Sequence, residues 1–422
     1  MKKIWLMNHY AATMFYDKAG RHYWFAEYLL KKGFEPQVFC STTFLNKNEI
    51  VDTDGQLYIT KTEEGIPFTF VKTSVEKGNG LKRLLSWMSF AKNLIKTAVD
   101  LAKTEGKPDV IIPSSVHPLT LVAGLRIAKK FHVPCICEVR DLWPEALFTL
   151  NTVKEKSIFG RILSKGEHWI YKNANALIFT KEGDTDHLIE EKWTTEQGGD
   201  IDLSKCYYIN NGVDITAYEK RISENILEDD EILSDNLFNV TYAGTLRPTN
   251  NVGKILDAAR IILSKPGYED VQFLIYGSGL EYDTLVERIN TEKITNVLMR
   301  GFVDRKYIPY ILSRSSVNLL NYSQEKYNWT RGNSSNKLFE YMASGKPIIS
   351  TVHMGYSIIK KYNCGVELDE DTPKALAEQI MRFHDMSSGE RDKIGRNARE
   401  GANDFDFSVL TEKLIKVIES VV

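Results

Sequence analysis

Short apolar runs alternate with helical stretches along this chain, and the alternation occurs twice. The first series is "KIWLMN", "EPQVFCS", "DVIIPS", "PCICEVR" and "ALIFT", with "RHYWFAEYLLKK" (21–32, closed by Gly33) and "LTLVAGLRIAKKF" as the helical stretches between. Runs this short and continuously apolar are buried on both faces, which a parallel sheet covered by crossover helices provides. After the acidic stretch "RISENILEDDEILSDN" (221–236) the pattern restarts. "FNVTYAG" is followed by helix "NVGKILDAARIILSK", strand "VQFLIYG", a helix from about Glu281, then "NVLMRG", "VNLLNY" and "KPIIST". The reading is α/β, with two Rossmann-like doubly wound domains. The first covers 1–220, a linker 221–236 and the second 237–400. The stretch 401–422, with "DFSVLTEKLIKVIESVV", is a terminal helix expected to pack back on the first domain.

A chain of 422 residues exceeds one ordinary core, so two domains are also what its size requires. Hydrophobic residues at 43% and charged residues at 26% are globular values, and a net charge of -2 offers nucleic acid no global attraction. Five cysteines show neither metal spacing nor a disulfide framework, and Cys135 and Cys137 point to one face of a strand as core residues. No apolar run is long enough to span a bilayer, and "MKKIWLMNHY" is too short in apolar residues for a signal peptide. The expectation is a cytoplasmic protein that is not exported.

Ligands of doubly wound sheets bind at the carboxyl ends of the strands, so the motifs at strand-to-helix turns matter most. In "NSSNKLFEYMASGKPII" (333–349), Ser334, Ser335 or Asn336 can cap a helix that Gly345 and Pro347 end. Its first turn offers backbone N–H groups and a positive dipole end to a phosphate. Glu340 shares a face with Asn336 and Lys337, while Leu338, Phe339, Met342 and Ala343 face the core. A carboxylate one turn below a phosphate can accept two hydrogen bonds from a ribose diol. Pairing of Glu340 with Lys337 on a solvated surface is the alternative that spacing leaves open.

The segment "SNKLFEYMASGKPII" resembles the nucleotide-binding segment of retaining glycosyltransferases of the GT-B fold, family four in the usual sequence classification. That family has a Glu-x7-Glu motif. Its second glutamate corresponds to Glu340, which implies a ribose contact, and its first falls on Gly332. The resemblance also implies backbone N–H groups at Ser335 and Asn336 facing a diphosphate. "YINNGVD" (208–214), "YAGTLRPTNNVGKILDAA" (242–259), "IYGSG" and "GFVDR" follow in the family's order. The phosphate loop starts at Gly244. Thr245 and Asn250 stand where many members carry an arginine and a lysine, and Arg247 and Lys254 are nearby cations.

"CEVRDLWPEAL" (137–147) resembles a subset that builds bacterial surface polysaccharides, such as capsule, O-antigen or exopolysaccharide. It implies Arg140 and Asp141 at a strand end in the cleft between the domains, with a buried Arg140–Asp141 pair as the structural alternative. His117 in "SSVHPLTL" stands where relatives place a histidine beside the donor sugar, and Gly20, Arg21 and His22 occupy the first strand-to-helix turn as acceptor-side candidates. The resemblance implies retention of configuration, a nucleotide-diphosphate sugar donor and a glycan acceptor, which the polysaccharide subset implies is lipid-linked.

No metal and no cofactor are expected. Asp52-Thr53-Asp54 reads as a turn and Asp184-Thr185-Asp186 as part of a helix, both on solvated surface, and no HxH or HExxH spacing occurs. The stretch "GLKRLLSWMSFAKNLIKTAV" (80–99) combines Lys82, Arg83, Lys92 and Lys96 with apolar residues including Trp87. It fits either a core helix with a basic outer side or contact with the inner face of an anionic membrane. Two other functions use the same architecture: a nucleotide-sugar epimerase without an acceptor, and a non-catalytic nucleotide-sugar-binding scaffold.

Overall fold

The computed structural model describes residues 1–44, 50–74, 80–149, 152–229, 232, 234 and 236–422. The chain divides into two compact units, Met1–Asn210 with Phe407–Val422, and Asn211–Asp406. The boundary falls before the expected position at 220. Residues Ile215–Glu224 form a helix whose Ile215 and Tyr218 enter the core of the second unit, against the Ile308–Arg314 helix. The expected linker thus begins inside that helix. Its residues 230, 231, 233 and 235 lie outside the described residues, and Ile232 is buried in the same core.

In the first unit, β1 (Lys3–Met7), β2 (Glu35–Ser41), β3 (Tyr58–Glu63), β4 (Ile66–Val71) and β5 (Val110–Pro113) form a sheet of order β3-β4-β2-β1-β5. β6 (Ile136–Val139), β7 (Ala176–Phe179) and β8 (Cys206–Tyr208) form a second ladder, and bridges from Ile111 to Cys135 and from Ser114 to Glu138 join it to β5. All pairings are parallel except β3 with β4. That hairpin turns through Glu64 (φ 51°) and Gly65 (φ 82°), both left-handed as a two-residue type I′ loop requires.

Strand alternation sorts the core into two layers. Ile4, Leu6, Val38 and Phe68 face the Arg21–Lys31 helix and the C-terminal Phe407–Glu419 helix, which packs on it. Trp5, Met7, Phe39 and Ile111 face the Leu81–Glu105 and Pro118–Phe131 helices. Cys135 and Cys137 share that second face, with their sulfurs 3.9 Å apart in a fully buried setting.

The second unit is one parallel sheet, β11-β10-β9-β12-β13-β14, built from β9 (Phe238–Ala243), β10 (Val271–Tyr276), β11 (Val297–Gly301), β12 (Val317–Leu320), β13 (Ile348–Ser350) and β14 (Gly365–Glu367). The Asn336–Ala343 helix buries Leu338, Phe339, Tyr341, Met342 and Ala343, each large side chain worth about 1.5–3 kcal/mol of transfer free energy. Gly345 follows at φ 68°, and its N–H donates to the Met342 carbonyl, which ends the helix as its sequence predicts.

Candidate active site

The loops after β9, β10, β11 and β12 meet at the carboxyl edge of the second sheet. Glycine makes this meeting sterically feasible. A Cβ on Gly277 would lie 1.8 Å from the Gly244 carbonyl oxygen, and one on Gly279 would lie 2.2 Å from that of Leu246. The loops are tied by Gly244 N–H donating to the Tyr276 carbonyl at 2.9 Å and Leu246 N–H to that of Ser278 at 3.0 Å.

Lys337, on the first turn of the Asn336–Ala343 helix, lies over this junction. Its ammonium is 4.3 Å from the Tyr322 ring centroid and 5.0 Å from that of Tyr242, and a Cβ on Gly244 would approach it to 3.0 Å. Burial pushes its pKa down to about 7; Glu340 opposes that shift and the Arg247 charge adds to it. Lys337 is half-buried at this helix N-terminus, and Arg247, in the loop after β9, is exposed. The first N–H groups of such a helix have no intrahelical acceptors. Asn336 is exposed there, and Ser335 uses its hydroxyl on the Tyr322 hydroxyl at 2.6 Å instead of capping the helix.

Glu340 does not pair with Lys337. Its Oε1 accepts from Arg305 at 3.1 Å, an ion pair with the arginine half exposed. Lys254 is neutralised within the fold: its buried ammonium is held by Asp371 and donates to the Tyr322 carbonyl at 3.1 Å. Asn250 is structural, donating its side-chain N–H to the Thr245 carbonyl, while its backbone carbonyl accepts from the Asn321 side-chain N–H at 2.6 Å. Gly332 has φ 99°, a backbone in which the glutamate of the related motif would be strained. Glu281 was not singled out by sequence. Its Oε2 is buried without a hydrogen-bond partner, and burial raises its pKa.

In the first unit the strand ends carry a different set of groups. His117, after β5, is fully buried, and its Nε2 lies 2.9 Å from Nδ1 of His9, which follows β1. The Trp87 ring stacks on His117 at 4.6 Å and 16°, and its Nε1 donates to the Tyr10 hydroxyl at 3.1 Å. Burial, with Arg83 nearby, pushes His117 down to about 3, and burial with the His117 charge holds His9 well below the usual imidazole range. Both rings are therefore neutral at pH 7. His9 was missed because a lone histidine in "LMNHY" carries no spacing signal.

Arg21 and His22, the acceptor-side candidates at the first strand-to-helix turn, are buried. Arg21 donates through Nε to Glu138 at 2.8 Å and through its other nitrogens to the carbonyls of Asn210 (2.6 Å) and Ile209 (2.9 Å). Glu138 also accepts from Ser114 at 2.6 Å and has His22 at 3.7 Å. Burial alone would raise Glu138, but the Arg21 guanidinium first, then the neighbouring His22 and Arg140, bring it down to about 2. Gly20 starts the Arg21–Lys31 helix at φ 106°, with Met14 filling the space of a Cβ. Arg140 is half-buried and Asp141 exposed, and no ion pair joins them among the described residues. Asp184 departs from the expected solvated surface: it is fully buried, paired to Lys181 at 3.5 Å, with its pKa raised to about 7 by burial. Asp52 and Asp54 are exposed around a turn.

Residues 225–401 match the family described as glycosyl transferases group 1. Over 346 residues, 79% of this chain and 80% of the relative, the sequence is 24% identical to a UDP-Gal:alpha-D-GlcNAc-diphosphoundecaprenol alpha-1,3-galactosyltransferase of Escherichia coli. Among solved structures, Anabaena HepE in complex with UDP and glucose aligns over the whole of both chains at 16% identity and a TM-score of 0.66. A trehalose-6-phosphate protein of E. coli bound with UDP-2-fluoro glucose also aligns over the whole of both chains, at 12% identity and a TM-score of 0.70. Residues 225–401 thus match the glycosyl transferases group 1 family, and the likeness over the full length of both chains gives this protein the GT-B fold.

Proposed function

We propose that this protein transfers a sugar from a uridine diphosphate donor to a lipid-linked glycan acceptor in bacterial surface-polysaccharide assembly, with retention and without a metal. The observation that carries the donor side is Lys337 on the first turn of the Asn336–Ala343 helix, over the Tyr242 and Tyr322 rings and Gly244 and within reach of the Arg247 charge, with Glu340 one turn below. The two cations and the helix dipole balance the charge that grows on the departing diphosphate. Glu340 exchanges its exposed Arg305 partner for the ribose diol. Retention follows a front-face path: the acceptor oxygen bonds to the anomeric carbon as the carbon–phosphate-oxygen bond breaks, and the acceptor proton passes to the departing phosphate oxygen. Neutral His117 acts as a hydrogen-bonding group and not as the base.

The UDP named in the HepE complex and the diphosphoundecaprenol substrate in the name of the E. coli relative support the donor and acceptor classes. Membrane contact is assigned to the start of the Leu81–Glu105 helix, where Leu84, Leu85 and Met88 are 43–54% exposed beside exposed Lys82. The deeper turns bury Phe90, Leu94 and Ala98 and Trp87 turns inward onto His117, so the core-helix reading of 80–99 describes those turns, and the proposed membrane contact is confined to the first ones. No described helix is long and apolar enough to cross a membrane.

Transfer of radiolabelled galactose or glucose from the UDP sugar to a diphosphoundecaprenol-linked acceptor, with chelator present, tests this reading. Acceptor-dependent product with the α configuration is expected. UDP binding without product on any polyprenyl-linked acceptor would favour the scaffold instead.

A further inference from the structure

The Ile158–Asn173 helix has an outer face that its own fold leaves uncovered. Ile158, Phe159, Ile162 and Trp169 are 81%, 57%, 60% and 45% exposed. Ile158, Ile162 and Trp169 recur at helical spacing on one stripe, and exposed Arg161 and Lys165 lie along one side of it. The opposite side of the helix buries Glu167, Ile170 and Tyr171 in the first unit. This geometry is fixed from its first turn. Ser157 caps the helix by accepting from the Gly160 N–H at 3.0 Å, and Gly160 admits the Lys154 and Glu155 carbonyls so closely that a Cβ would lie 2.4 Å from one of them. A built N-terminus thus presents isoleucine and phenylalanine to solvent.

We propose that this helix face is a docking surface for an anionic lipid bilayer. Charge complementarity selects that occupant: apolar side chains enter the acyl boundary while Arg161 and Lys165 remain at the level of anionic head groups. Continuity with the Leu84, Leu85 and Met88 patch supports it. The Leu81–Glu105 and Ile158–Asn173 helices both pack against the Pro118–Phe131 helix. Each connects parallel strands of the first unit, so each starts at the carboxyl edge where His117 and Arg140 lie. The two apolar patches therefore face the same end of the unit. The inference goes beyond the nucleotide site and does not depend on it; what it adds to the proposed lipid-linked acceptor is a second point of attachment.

Flotation of the full chain with vesicles of phosphatidylglycerol and phosphatidylcholine, beside vesicles of phosphatidylcholine alone, tests the surface. Wild type is expected to float with the anionic vesicles only. Ile158→Ser/Ile162→Ser should reduce binding at least tenfold, and Arg161→Glu/Lys165→Glu should do so at low salt. Melting temperature and UDP binding, measured in parallel, should stay at wild-type values, which separates failure of this surface from failure of the nucleotide site. Equal flotation of wild type and both variants overturns the proposal. So does sedimentation showing a wild-type dimer that Ile158→Ser/Ile162→Ser converts to monomer without changing flotation, because the face would then be covered by a second copy.

Discussion

Nδ1 of His9 and Nε2 of His117 lie 2.9 Å apart inside the first unit, between the ends of β1 and β5. One nitrogen donates and the other accepts, so at least one imidazole must stay neutral, and burial favours the neutral form of both. Their folded pKa values lie below the unfolded value of 6.5, His117 at about 3. The unfolded chain then binds more protons as pH falls from about 6.5 toward 3, and stability drops through that window. His22, brought to about 3 by burial, acts with the same sign. Melting temperature should fall from pH 7 to pH 5, with a shallower slope in His9→Asn/His117→Asn.

Glu138 should be the most sensitive carboxylate in the first unit. Its replacement by alanine leaves the Arg21 guanidinium buried without its counter-charge, and breaking a buried pair of this kind costs about 3–5 kcal/mol. Urea unfolding should show a loss of that size that added salt does not reduce. Arg21 also holds the carbonyls of Ile209 and Asn210, the last residues of the first unit before the chain leaves it, so removing both partners should not restore stability.

Gly277→Ala should lower both UDP affinity and melting temperature. The added methyl would meet the Gly244 carbonyl at 1.8 Å, and two backbone segments must separate to admit it. Gly267→Ala is the comparison. Its φ of 91° also disfavours alanine, but no atom lies within 4 Å of the new Cβ, so it should cost about 1 kcal/mol and leave UDP binding unchanged.

Lys337 has a folded pKa of about 7 against an unfolded value near 10.4. Between those values the unfolded chain binds more protons, so this residue makes the protein more stable as pH rises from 7 toward 10. Lys337→Met should accordingly match or exceed wild-type melting temperature at pH 7, and the difference should shrink by pH 9. Differential scanning calorimetry at the two pH values checks the sign. UDP affinity of the wild type should weaken as pH rises above 7 and the ammonium is lost.

The parallel sheets were legible in the sequence because each strand is a continuous apolar run, and a buried strand needs no partner information to be seen. The β3–β4 hairpin was not, since β3 is an exposed edge strand with "ITKTE" in place of an apolar run. Lys337 and Glu340 were singled out through one motif and Gly244 through another. Their partners were not: Arg305 lies 35 residues before Glu340, and the rings of Tyr242 and Tyr322 reach Lys337 from two other strand ends. Glu138 illustrates the same limit. A carboxylate in the apolar run "CICEV" gives no sign that Arg21, 117 residues earlier, will neutralise it. Asp184 was misread for the complementary reason, because a helix start rich in acidic residues is ordinarily solvated.

Calorimetric titration of UDP into wild type, Lys337→Met and Glu340→Ala at pH 7, with chelator present, tests the donor site most directly. Saturable binding by wild type, weakened at least tenfold in each variant with melting temperatures preserved, is the predicted result. Wild-type affinity retained in both variants would contradict it, and would mean that the cation and carboxylate at the Asn336–Ala343 helix do not hold the nucleotide.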